Sequence, residues 1–128
     1  MNVKDIKWKK DKYDSIVVQL ATEHKSIAID LDRTLAYFDG WDGIESIGKP
    51  IKSVVDRALA KEKEGYTIKI FTARAIDKRC IDPIKNWLKF YDLPNWEITN
   101  MKDPSMKEIW DDLAITIGNN TGEILTHK

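Results

Sequence analysis

A single cysteine, Cys80, stands in the 128 residues, so an intramolecular disulfide is impossible and a multi-cysteine zinc centre has no donors. Such usage points to the cytoplasm as the compartment. Histidine is almost as scarce: His24 and His127 are the only two, and no serine sits in a Gly-x-Ser-x-Gly turn. Serine triads, Cys-His pairs and three-histidine metal sites therefore lack their raw material. No apolar run approaches the roughly 18 residues of a membrane span. Residues 1–12 are polar where a secretory signal would be apolar, so no membrane partner is expected. Charge of one sign is missing too. Lys and Arg number 21 against 21 Asp and Glu, which leaves no global field to gather a polyanion. Whatever chemistry the chain performs falls to its carboxylates.

What is there suits one globular domain. The chain is 42% hydrophobic with six Gly and four Pro, and a chain of this length buries roughly two-thirds of its unfolded surface. No repeat, low-complexity tract or linker divides it. Residues 1–25 stand apart from the domain, and the first twelve read as a basic arm, with Lys4, Lys7, Lys9, Lys10 and Lys12 interleaved with Asp5 and Asp11. A short helix follows, because Tyr13, Ile16, Val17 and Leu20 fall at i, i+3, i+4 and i+7; the run Ile16-Val17-Val18 would also suit a strand. Residues 26–128 form the domain proper.

Within it, Ser26 to Leu31 and Tyr66 to Thr72 have the apolar character of buried parallel strands. Between them, Pro50 opens a helix with Ile51, Val54, Val55 and Leu59 on one face, and Gly65 closes it. A second helix has Asp82 as N-cap, Pro83 at its first position and a stripe of Ile84, Trp87, Leu88 and Tyr91. Glu97 to Thr99, Glu108 to Trp110 and Ala114 to Ile117 read as further strands. The expected fold class is α/β: a three-layer, Rossmann-like, doubly wound, mostly parallel sheet covered on both faces. Its site belongs at the carboxyl ends of the strands, near a topological switch point.

The first strand runs into Asp30-Leu31-Asp32-Arg33-Thr34. Two carboxylates two residues apart, where an extended chain begins to turn, can surround one cation, the first by its side chain and the second partly by its carbonyl. The second strand ends in Thr72. Near the C-terminus, Trp110-Asp111-Asp112 sets two adjacent acids at another strand end, after Lys102 in Asn100-Met101-Lys102-Asp103-Pro104. Each element alone is common in polar loops; the ordered set is not.

That set resembles the haloacid dehalogenase-like superfamily, whose pattern is Asp-x-Asp-x-Thr, a Thr or Ser after the second strand, a Lys, and an acidic pair. The likeness is closer to small cap-less members encoded by phages and bacteria. It extends through Asp39-Gly40-Trp41-Asp42-Gly43, Gly48-Lys49-Pro50-Ile51, Phe71-Thr72-Ala73-Arg74 and Asn120-Thr121-Gly122, covering about residues 26–122. Two positions depart from the pattern. Arg33 stands where the family usually has Gly, and Leu113 where it often has Arg.

The resemblance implies a Mg²⁺-dependent phosphomonoester hydrolase acting through an aspartyl-phosphate. Mg²⁺ would be held by the Asp30 side chain, the Asp32 carbonyl and the acidic pair, with Asp112 the direct ligand and Asp111 its support. Asp30 would be the nucleophile and Asp32 the proton carrier. Thr72 would bind a phosphate oxygen and Lys102 would steady the transferring group, with Lys107 a weaker candidate for that role. Thr34, Arg33, Trp41, Ala73 and Arg74 are the implied substrate contacts. For two of these the residues leave alternatives: Arg33 reaches a phosphate or points to water, and Trp41 stacks on a base or leans on the sheet. Trp87 and Trp110 read as core.

Other families fit less well. A phosphoacceptor receiver domain has its acidic pair first and its acceptor Asp in mid-chain, the reverse of the order here. A P-loop needs an upstream glycine and a hydroxyl that Gly48-Lys49-Pro50 lacks. The remaining alternative is a non-catalytic phosphate- or nucleic-acid-binding protein on the same fold, although the nucleophile position is intact. From Thr34 to Thr72 is 38 residues and from Thr72 to Lys102 is 30, too few for a cap domain in either interval. The site should thus be open, taking a phosphorylated small molecule, a nucleotide or a nucleic-acid end, or being closed by a neighbour in a homo-oligomer.

Overall fold

The structure, a computed structural model, describes residues 25–126; the basic arm and the helix expected over residues 13–20 lie outside them. Ser26–Ile29 form β1, and all four residues are fully buried, as a strand flanked by neighbours on both edges requires. The chain then turns through residues 30–36 and loops out over 37–49. It returns where Pro50 bridges Ala36 in antiparallel fashion. That bridge holds Pro50 outside the helix it was expected to open, so α1 runs Lys52–Lys63 from an extended Ile51. Val55 and Ala58 are its buried residues, and Gly65, with φ +104°, ends it as expected.

β2 (Thr67–Phe71) alternates, with Ile68 and Ile70 buried. Two 3₁₀ turns follow, Ala73–Ile76 and Lys78–Cys80, capped by the side chains of Thr72 and Asp77. They lead into α2 (Ile81–Phe90), so Asp82 and Pro83 lie inside its first turn rather than at its cap. The buried stripe of α2 includes Ile84, Trp87 and Leu88. β3 is Glu97–Thr99, and β4 is Met106–Trp110, longer at its start than expected. The strand expected over Ala114–Ile117 does not form. Ile117 makes one antiparallel bridge to Ile124, closing a turn, and Ile115 and Ile117 stay half exposed because no sheet edge reaches them.

The four strands make one all-parallel sheet in the order β3-β2-β1-β4, and with its helices the fold is α/β. The two helical crossovers step across the sheet in the same direction, so right-handedness sends both helices to one face. There Ile27 and Ile29 of β1 and Ile68 and Ile70 of β2 meet Val55, Ala58, Ile84, Trp87 and Leu88. The other face, expected to carry helices too, has none among the described residues. A strap, residues 100–105, crosses it from β3 to β4. Asp103 on the strap accepts a 2.8 Å bond from Lys69 of β2, and Ser105 bonds to Ser26 of β1 through both backbone and hydroxyl. Strand order reverses between β1 and β4, which opens a crevice at their carboxyl ends. Among the described residues no helix is long and apolar enough to cross a membrane.

Candidate active site

Asp30 is the first residue past β1, and its N–H still donates to the Trp110 carbonyl at 2.9 Å, so the ladder with β4 continues to the edge of the crevice. Asp111 and Asp112 follow β4 directly. Carboxylate oxygens of Asp30, Asp111 and Asp112 consequently lie within 4.8 Å of one another. Half-burial, with the Asp111 charge next in size, pushes the Asp30 carboxyl up to about 6; Asp112 and Asp32 act in the same sense, against the opposing Leu31 N–H. Three crowded carboxyl groups, all oxygen donors, could hold a hard divalent cation that keeps some of its waters.

Each acid is held. The Asp111 carboxylate accepts the Leu113 N–H at 2.7 Å. Asp112 accepts a 2.9 Å bond from Arg33 Nε, and its N–H donates to Thr34 Oγ1 at 3.3 Å. Arg33 thus pairs with Asp112 while nearly half of its side chain stays exposed to water. The guanidinium beside Asp112 comes from the loop after β1, while position 113 is a leucine. Thr34, expected at the substrate, also faces Asp112. Leu113 is 61% exposed and lines the cleft beside Asp111.

Asp32 behaves differently. Its carboxylate is outside the three-acid group and takes a two-pronged bond from Arg74, Nε and Nη2 each at 2.8 Å. Arg74 Nη2 also donates to the Ser46 carbonyl at 3.1 Å, and the guanidinium carbon lies 4.9 Å from the centre of the Trp41 ring. Only 5% of the Arg74 side chain is exposed, and its Nη1 is buried with no partner. Thr72, buried, ends β2 at the same edge and accepts the Arg74 N–H at 3.1 Å. These residues border a cleft of about 880 Å³ that runs from Asp30 and Asp111 to Trp41 and past Ala73.

Of the residues singled out in the sequence, Lys102 alone among the proposed catalytic groups stays apart: it is exposed on the strap and does not line the cleft, although Asn100 does. Lys107 is exposed on β4. Sequence reasoning missed the apolar wall of Phe38, Ile44, Phe71 and Ile76, and the pairing of Arg74 with Asp32. The family-like Thr72-Ala73-Arg74 run was the only available signal for that pair. Comparison with protein-family models, curated proteins and solved structures gives no match.

Proposed function

We propose that the chain is a Mg²⁺-dependent phosphomonoester hydrolase, a cap-less, Rossmann-like member of the haloacid dehalogenase-like superfamily working in the cytoplasm. The observation that carries the reading is the convergence of Asp30, Asp111 and Asp112 at the carboxyl ends of β1 and β4, with Thr72 at the end of β2. Residues far apart in the chain thus lie together at the point where strand order reverses.

Asp30, Asp111 and Asp112, with the Asp32 carbonyl, are the residues that would hold Mg²⁺. The ion supplies charge neutralisation for a dianionic phosphate and favours the ionised Asp30. One Asp30 oxygen attacks phosphorus, and the ester oxygen leaves with a proton from Asp32. Water then attacks the aspartyl-phosphate and gives its proton back to Asp32, releasing inorganic phosphate and restoring Asp30. The Arg74 fork occupies one lone pair on each Asp32 oxygen and fixes the carboxylate plane, leaving further lone pairs for proton carriage. Thr72, which accepts the Arg74 N–H, keeps its hydroxyl proton for a phosphate oxygen, whereas the N–H groups of residues 33–36 already donate to carbonyls of their own turn. Lys102 is exposed on the strap outside the cleft, so the steps above do not draw on it.

Phosphate release from p-nitrophenyl phosphate tests this directly. Turnover should require Mg²⁺, stop with excess EDTA, and vanish in Asp30→Asn. Asp32→Asn should retain slow phosphoenzyme formation on this good leaving group, and trapped label should sit on Asp30. Undiminished turnover in EDTA, or label on Asp32, would overturn the assignment.

A further inference from the structure

Three large apolar side chains, Trp41, Ile76 and Leu113, are 59%, 83% and 61% exposed, and all three line the one cleft that ends at Asp30 and Asp111. Exposed apolar surface gathered at a concave site, rather than scattered singly, marks a place where something apolar binds. Trp41 is also held in a way that an exposed loop tryptophan is not. Its inner ring face lies against the Arg74 guanidinium, which is itself fixed by two bonds to Asp32 and one to the Ser46 carbonyl. The indole therefore has a fixed cation against its ring while more than half of the residue stays exposed.

We propose that this cleft is a nucleoside subsite, in which Trp41, backed by Arg74, is the stacking platform for the base of a nucleotide whose phosphate lies at Asp30. The inference rests on the hydrolase reading for the phosphate end and on the flap geometry for the base end. A base fits better than a phenyl ring. Its edge carries donors and acceptors, and Asn100 lines the same cleft together with the mutually paired Asp77 and Arg79. A cleft of about 880 Å³ also leaves ample room for a sugar between phosphate and ring.

The test compares wild-type protein with Trp41→Ala and Trp41→Phe, after circular dichroism establishes that each is folded. In metal-free protein, the H2 and H8 resonances of adenosine should broaden with wild type and Trp41→Phe, and stay sharp with Trp41→Ala. With Mg²⁺, the ratio of kcat/KM for adenosine monophosphate to that for ribose 5-phosphate should fall about tenfold in Trp41→Ala, mostly through KM, and recover in Trp41→Phe. A 3′-phosphorylated oligonucleotide run alongside distinguishes a strand end from a free nucleotide as the source of the base; the preferred of the two must show the Trp41 dependence. Equal broadening with Trp41→Ala, an unchanged ratio, or an equal loss on phosphotyrosine would overturn the nucleoside subsite. Adenosine binding that depends on Trp41, without turnover of any phosphate, would sustain the subsite and sink the hydrolase.

Discussion

At the scale of single residues, Asp30 carries the sharpest consequence of geometry. Its carboxyl titrates at about 6 rather than 3.8, so the folded protein holds this proton more tightly than the unfolded chain does. The stability it contributes is complete below about pH 4 and is lost as pH rises through 6; ionised Asp30 is a strain on the metal-free fold, worth about 1 kcal/mol once its partial exposure is discounted. A divalent cation held by the ionised form, as proposed, would reverse the sign. The rise in Tm produced by Mg²⁺ should therefore be small near pH 5 and larger by several degrees near pH 7. An increment that does not change with pH would contradict it. Arg33 gives a second test. It adopts φ +72°, the left-handed region, while its Nε bonds to Asp112. A non-glycine residue there costs roughly 1–2 kcal/mol, and a half-exposed ion pair returns at most about 1. Arg33→Gly should thus leave denaturant stability nearly unchanged, whereas Arg33→Ala, keeping the strain and losing the pair, should be less stable than the Gly variant by about 1 kcal/mol. The three acids were legible because a strand-end motif fixes where its side chains emerge. Arg74's hold on Asp32 was not, because 42 residues of chain separate the partners and only the fold brings them together.

At the scale of elements, what could be read followed burial and what could not followed contact. β1 and β2 and the stripes of both helices follow from runs and spacings that a core imposes on any sequence. The start of α1 did not, since Pro50 is claimed by its bridge to Ala36, and Ala114–Ile117 has strand residues but no neighbouring strand. The loop over residues 37–49 is the element that matters most to the proposed subsite, and its base is tight. Tyr37 N–H donates to the Lys49 carbonyl at 3.0 Å, and Trp87 Nε1 donates to the Gly48 carbonyl at 2.7 Å. A Cβ on Gly48 would fall 2.0 Å from the Tyr37 carbonyl oxygen, a backbone atom that cannot swing aside. Gly48→Ala should consequently cost about 2 kcal/mol or more, seen as a Tm lower by several degrees, and should weaken adenosine binding as the loop shifts Trp41. Full stability in Gly48→Ala would mean that the loop base is looser than these contacts describe.

At the scale of the whole molecule, the acidic cluster exists because β4 lies beside β1, and β4 lies there because the strap crosses the sheet. Asp103 is the strap's anchor. It accepts from Lys69 Nζ at 2.8 Å, from the Ser105 N–H at 2.7 Å and from the Ser105 hydroxyl, while Ser105 in turn holds the start of β1. Burial works against the Asp103 charge, but the bonds from Lys69 and Ser105 outweigh it and keep the carboxyl below its ordinary range. For Lys69, burial likewise opposes the charge, and the bonds to Asp103 and Glu97 prevail and raise it. With Asp103 depressed, its contribution is present above about pH 4 and is lost as pH falls further; with Lys69 raised, its contribution persists until pH climbs past its elevated value. The pair therefore stabilises across the whole neutral range. Asp103→Ala removes the nearer of two acidic partners from a Lys69 side chain that is only 12% exposed and leaves it Glu97 at 3.2 Å, so a loss of about 1–2 kcal/mol is expected, less than for a fully buried pair left with no partner. Asp103→Asn retains acceptance from Ser105 and should lose less. Because the strap sets where Asp111 and Asp112 emerge, Asp103→Ala should also weaken Mg²⁺ binding, measured by the metal-dependent rise in Tm, while a variant at exposed Lys63, the last residue of α1, should not. A destabilised Asp103→Ala that keeps its full response to Mg²⁺ would show that β4 holds its register without the strap.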